Sequence, residues 1–433
     1  MFDNKLKSIL NEDFKQKTAH KIDHNSQRAL SVIAWTIAAI FVGLAVGAFA
    51  SVFGLAMSFV IKLRTEHTWI IYFLPVGAIL ITFIYKHILK EKDSGTNTVI
   101  AAIQSEGRLP FRLAPLIFIS TLITHLVGGS AGREGAALQM GGAIGNGIGR
   151  ALRLNTTDKK TMIMCGMSAA FSALFGTPMA AAIFSMEVIS VGIMHYAALV
   201  PCVISSLVAR SVASHMGLHG EEYLISVIPA FTIKNAVLIC IFAVLCGLVS
   251  VLFCTVLHKY EEFLSNKLKN PYIKAFVGGT SVLVLTFLVG SYNYNSTGTA
   301  IIASCFTGAS IGLQVFLLKI LFTTLTLSCG YKGGEIVPTL FIGATFGAAM
   351  GPLLGLPAPL MAAVGMGALF CGVTNCPISS LLICFELFGY EPMPYFLLAV
   401  AFSYWVSGYS GLYKAQKIVY SKYKSNYIDK RVK

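Results

Sequence analysis

Gly166-Met-Ser-Ala-Ala-Phe171 recurs later in the chain as Gly365-Met-Gly-Ala-Leu-Phe370. Each copy is followed at the same spacing by a proline (Pro178, Pro377) and then a glutamate (Glu187, Glu386), a constant offset of 199 residues. Upstream, Gly132-Arg-Glu-Gly135 leads into Gly141-Gly142-Ala143, and Gly333-Gly334-Glu335 leads into Gly343-Ala344 at an offset near 200. Gly43-Leu44 and Gly247-Leu248 open a matching pair of apolar stretches. The chain reads as two related halves, 30–216 and 231–413, joined by a linker at 217–230. A segment at 1–29 precedes them and a basic tail at 414–433 follows.

Composition says where such halves can reside. Hydrophobic residues make up 55% of the 433, charged residues 12%, and mean hydropathy is +0.73. A soluble domain carries about 25% charged residues, so this chain could not cover a water-facing surface. Disorder, coiled coil, collagen and a disulfide scaffold are excluded on the same ground. The fold class is an all-α polytopic membrane protein. Several apolar stretches exceed one bilayer crossing of about 20 residues and others fall short of it. Pro178, Pro201, Pro338, Pro377 and many glycines interrupt them. Helices that end inside a membrane are tolerated only where the freed backbone packs in protein or lines a polar cavity. Duplicated halves with broken helices point to a transporter whose site lies near the midplane. Hydropathy alone does not settle whether the halves are inverted.

The net charge of +14 comes largely from the two ends. From Lys414 onward seven basic residues face one acid, Asp429, and the first 28 residues are Lys-rich with partly balancing acids. Basic residues flanking apolar spans mark the cytoplasmic side, so both termini are expected there, in a multi-pass protein of the cell membrane. No nucleic-acid partner is implied. The ten cysteines form no CxxC or Cys/His pattern, so free buried thiols are expected, with no metal site and no cofactor. The first apolar run begins near Leu30 and is too long for a cleaved signal peptide.

Gly128-Gly-Ser-Ala-Gly-Arg-Glu-Gly-Ala-Ala-Leu-Gln139 carries the chemistry. A helix starting here would aim free N–H groups and its positive dipole end at an anion. Glu134 places a carboxylate on the same spot, and a charge at bilayer depth is a functional hypothesis by default; the alternative is a surface Arg–Glu loop. Ser94-Gly-Thr-Asn-Thr98 is a second helix start, whose hydroxyls either cap the helix or donate to an anion. Gly330-Tyr-Lys-Gly-Gly-Glu-Ile-Val-Pro338 is a third, with Pro338 suited to a first turn and Lys332 and Glu335 readable as a solvated pair.

Gly132-Arg-Glu-Gly135, Gly330–Pro338 and Gly166–Glu187 together resemble the CLC family of chloride channels and proton-coupled anion exchangers, over nearly all of 30–420. The resemblance implies two inverted-repeat halves, helix N-termini converging on a bound halide, and a homodimer with one pore per subunit. Glu134 matches the family's gating glutamate, which occupies an anion site when ionised and leaves it when protonated. Gly132, Arg133 and Gly135 flank it and are expected to bind the anion. Ile336 and Val337 match the second-half backbone donors, and Tyr413 the tyrosine whose hydroxyl touches the central anion. The family's Gly-Ser-Gly-Ile-Pro element is reduced to Asp93-Ser-Gly-Thr-Asn97, so either Ser94 or Thr96 takes the central serine's place. Val188 stands where chloride exchangers carry an internal proton-transfer glutamate, while Glu187 matches a neighbouring structural one. Channels and the fluoride/proton exchanger branch share that loss. The Gly-Thr-Asn stretch, Thr124-His-Leu-x-Gly-Gly-Ser and Gly-Gly-Glu resemble the fluoride branch more closely.

The leading expectation is a halide/proton antiporter, fluoride favoured over chloride, and not an enzyme. Its rivals are a passive CLC channel, an intramembrane hydrolase using Ser130 with His125, and a cation-coupled transporter of organic solutes. The lone histidines His125 and His195 are expected to be hydrogen-bonded between helices. Glu386 and Glu187 are expected to be structural, at helix junctions.

Overall fold

Proline and glycine divide the apolar sequence into short helices, and the two halves divide alike. The computed structural model describes residues 2–89, 94–105 and 109–432, with side chains from Leu30 onward. The charges of the first 28 residues, Asp93 and Lys433 therefore lie outside the described side chains. The first half contains α1 (Phe2–Glu66), α2 (Leu74–Ile84), α3 (Thr96–Gln104), α4 (Leu113–Val127), α5 (Glu134–Ala151), α6 (Thr156–Phe175), α7 (Pro178–Glu187) and α8 (Leu199–His215). The second contains α9 (Ile233–Lys267), α10 (Pro271–Val289), α11 (Thr299–Phe306), α12 (Gln314–Ser328), α13 (Ile336–Leu354), α14 (Ala358–Thr374), α15 (Pro377–Phe388) and α16 (Met393–Val406). Each helix of one half has its counterpart in the other. The neighbours match as well: α1 packs on α8 as α9 packs on α16, and α5 on α6 as α13 on α14.

Among the described residues, six spans are long and apolar enough to cross a membrane, the longest being Leu30–Glu66 and Ile233–Lys267. Ile33, Ile37 and Phe41 are more than half exposed on α1, an outer surface that suits lipid and not water. The shorter helices are enclosed. α5 and α13 are buried along most of their length, and their glycines let the neighbouring backbones touch. A methyl group on Gly141 would lie 2.1 Å from the Gly166 carbonyl oxygen, and one on Gly343 would lie 2.4 Å from that of Gly365. This is the small-residue packing on which membrane helices rely when no hydrophobic gain is available between them.

The repeated glutamates join the halves. Glu187, ending α7, accepts hydrogen bonds from Ile378 N (3.1 Å) and Ser379 N (2.8 Å) at the start of α15. Glu386, near the end of α15, accepts from Met179 N and Ala180 N (both 2.9 Å) at the start of α7. Each half thus caps a helix of the other with a carboxylate, where the orphan N–H groups and the dipole favour it. The swap is symmetric, as a local twofold axis between the halves requires.

The tail is more than a basic extension. β1 (Ser190–Val191) pairs in parallel with β2 (Lys417–Tyr420), which pairs antiparallel with β3 (Tyr427–Arg431). Lys422, between those last strands, donates to Asn375 Oδ1, to Tyr404 O (3.1 Å) and to Ser407 Oγ (3.0 Å). The only sheet among the described residues therefore fastens the end of the chain to the first half.

Candidate functional site

α5 and α13 begin at one point. Gly132 N donates to Gly334 O and Gly334 N donates to Gly132 O, each at 2.7 Å. Each glycine stands two residues before its helix, so the unpaired first-turn N–H groups of both halves lie beside this pair. No side chain fits there. A methyl group on Gly132 would sit 3.1 Å from Glu134 Oε2, Gly334 O and Val337 N alike, and one on Gly334 would sit 2.4 Å from Gly135 N. The same distances place the Glu134 carboxylate and the Val337 N–H around a common point.

Glu134 is the first residue of α5 and is 1% exposed. Its carboxylate folds back over its own helix start: Arg133 N donates to Oε2 (3.1 Å) and Arg133 Nε to Oε1 (3.2 Å). This is not the surface Arg–Glu loop considered as the alternative. Arg133 turns its Nη2 to Glu221 Oε1 (3.5 Å), and the Tyr223 hydroxyl donates to the other Glu221 oxygen. Glu221 is about a third exposed, so the series runs from buried carboxylate to water. Nothing in the sequence marks Glu221 and Tyr223, which lie in the linker between the halves.

On the other side of Gly135 lie Thr96 and Glu335. A methyl group on Gly135 would lie 3.3 Å from Thr96 Oγ1 and 3.5 Å from Glu335 Oε2. Thr96 is buried and Ser94 is exposed, its N–H donating to Thr98 Oγ1 (2.9 Å). Of the two hydroxyls the sequence left open, Thr96 is the one beside α5. Asn97 Oδ1 accepts from Ala415 N (2.9 Å), and Leu412 N donates to Val373 O (2.8 Å). These two bonds pin the chain on either side of Tyr413, which is 1% exposed. The hydroxyls of Thr96 and Tyr413 have no hydrogen-bond partner among the described residues. Ile336 and Val337 are buried at the start of α13.

A cavity of about 770 Å³ reaches this region from the side of the tail, lined by Ser94, Asn97, His258, Glu261, Lys274, Lys332, Glu335, Lys414 and Arg431. Lys332 stands over the Tyr85 ring at 4.2 Å. Four fixed cations against two carboxylates make its walls net positive, a potential that concentrates anions.

His125 and Ser130 hydrogen-bond to different partners. His125 Nδ1 bonds to Ser296 Oγ (2.8 Å) and Ser130 Oγ to Thr323 Oγ1 (3.1 Å). His125 is hydrogen-bonded between elements, as expected of a lone membrane histidine, whereas His195, read the same way, is exposed in the turn before α8. Lys319, fully buried on α12, donates to Ser296 O (2.9 Å) and Tyr294 O (3.1 Å). Sequence reading overlooked it, although a lone lysine inside an apolar span is itself a signal.

The family model described as voltage gated chloride channel matches residues 76–408. The chain belongs to the CLC family. A CLC relative in Pseudomonas syringae pv. tomato, described as a chloride/fluoride channel protein, is 35% identical over 395 residues, covering 90% of this chain and 87% of its own. The crystal structure of a CLC-type fluoride/proton antiporter superposes with a TM-score of 0.86 at 31% identity, covering 89% of this chain and 98% of that one. A slow cyanobacterial Cl-/H+ antiporter shares the fold at 20% identity, with a TM-score of 0.76 over 86% of this chain and 94% of that one. The all-α polytopic CLC fold implied by the resemblance is the fold observed, and the chain is a multi-pass membrane protein.

Proposed function

We propose that this CLC protein is an anion/proton antiporter that moves a halide, fluoride in preference to chloride, with Glu134 as the exchanged element. The observation that carries the reading is the meeting of the Glu134 carboxylate with the Val337 N–H at the Gly132–Gly334 pair. A dehydrated halide needs donors without a full counter-charge, so that it can also leave; helix ends and hydroxyls supply them. Ionised Glu134 competes for the same donors and closes the path. Protonated, it loses that attraction and yields the place to the halide, which ties anion movement to proton movement. The free hydroxyls of Thr96 and Tyr413 are suited to hold the halide on the way to the positive cavity. The 31% identity to a fluoride/proton antiporter, together with Gly-Thr-Asn and Gly-Gly-Glu, supports the choice of fluoride.

In this reading both termini and the cavity face the cytoplasm of the cell membrane, and the protein works as a homodimer with a pore in each subunit. The test is transport in proteoliposomes. Wild-type protein takes up fluoride against its gradient when a pH gradient is imposed, whereas Glu134→Gln moves halide without protons. Intact pH-driven uptake by Glu134→Gln would overturn the gate. The passive-channel reading rests on Val188, buried where chloride exchangers carry a glutamate. A reversal potential that ignores the pH gradient would establish it.

A further inference from the structure

The proposed gate leaves one group unused. Arg133 does not belong to Glu134 alone: its Nε is 3.2 Å from Glu134 Oε1 and its Nη2 is 3.5 Å from Glu221 Oε1. One guanidinium thus serves two carboxylates, one buried and one wet. Glu221 is held by Tyr223, whose hydroxyl donates to it and whose ring stacks on Phe306 at 4.8 Å. Tyr223 N donates to Leu387 O at 3.3 Å. A segment that only joined two halves would have no reason to anchor a carboxylate over the start of α5. We propose that Glu221 is a positioning residue for proton exchange: by sharing Arg133 with Glu134 it sets the pH at which Glu134 takes up its proton and releases the anion site. The inference rests on the reading of Glu134 as the gate.

The sign follows from charge. Arg133 favours the ionised form of Glu134, and Glu221 opposes this twice, by drawing on the same cation and as a like charge nearby. The other charged groups around it do not replace it. Glu222 adjoins it in the chain and His219 lies two residues before it, while His125 of α4 faces Arg133. Arg210 of α8 stands beside Gly176, which touches Gly220, and its charge acts on Glu386. Neutralising Glu221 therefore leaves Arg133 to Glu134 and makes protonation harder.

The experiment is halide efflux from proteoliposomes of the full chain, with pH equal on both sides and varied from 4.5 to 8.5. In Glu221→Gln the midpoint of activation moves about one pH unit toward acid, with the low-pH maximum retained. Above the wild-type midpoint the rate falls about tenfold for such a shift. Glu221→Asp, which keeps the charge, restores the wild-type midpoint. Glu221→Ala makes the same test should the glutamine variant fail to fold. An unchanged midpoint in a folded neutral variant would overturn the proposal. The Glu134→Gln control separates this from failure of the gate itself: a wild-type pH profile there sinks the gate, whatever Glu221 does.

Discussion

Gly132 and Gly334 exchange both backbone hydrogen bonds, 2.7 Å in each direction, and so fix the point where the two halves present their helix starts. Their neighbours, Arg133 with Glu134 and Glu335 with Ile336, are thereby placed on opposite sides of one short bridge. The register of that pairing is 202 residues, against 199 between Glu187 and Glu386, so the second half is three residues shorter between the two sets of landmarks.

Gly334→Ala is expected to abolish transport. Its new methyl group would lie 2.4 Å from Gly135 N, backbone that cannot swing aside, and overpacking of that kind costs about 1–3 kcal/mol or more. Halide efflux from reconstituted Gly334→Ala measures it. Near-normal flux would mean that the bridge is not needed.

Glu187→Gln and Glu386→Gln should both destabilise the protein, Glu187→Gln somewhat more, because each removes the charge from a pair of backbone hydrogen bonds at the same kind of helix start and Glu187 also accepts from the Ser379 hydroxyl. Charge-assisted bonds contribute about 1.5–3 kcal/mol, and the amide retains part of that. Thermal unfolding in detergent should show a lower midpoint for both variants, with transport preserved in the folded fraction. A large loss from only one of them would contradict the symmetric swap.

Thr96→Val and Tyr413→Phe keep shape and remove the two unpartnered hydroxyls. Each should weaken halide binding by about 1–2 kcal/mol, roughly five- to thirtyfold, and leave proton coupling intact. Titration calorimetry with fluoride and with chloride reads the loss and the preference. An unaltered affinity in both variants would remove these side chains from the anion's path.

The docked tail should respond to pH. Burial pushes the Lys422 amine down to about 8 from its ordinary 10.5. Between those values the free tail binds more protons than the docked one, so docking strengthens as pH rises through that window and is weakest below it. A nitroxide placed at Tyr427 should become more immobile from pH 7.5 to 10. In Lys422→Met that change should vanish.

The sequence by itself determined the membrane class, the two halves and the glutamate at their meeting point. These follow from local facts: too few charges for water, a repeat spacing that survives in the text, and a carboxylate at a glycine-rich helix start. Glu187 was legible as structural through the family resemblance, and Glu386 because its spacing to Pro377 repeats that of Glu187 to Pro178. Their exchange across the halves was not, because no spacing within either half shows which helix each will cap. Only tertiary structure buried Thr96 beside α5 and left Ser94 exposed, tied Leu412 and Ala415 on either side of Tyr413 to Val373 and Asn97, and brought Glu221 to Arg133. Those contacts join residues far apart in the chain, and side-chain direction, which decides what each group meets, is set by packing between helices and leaves no periodic trace in the sequence.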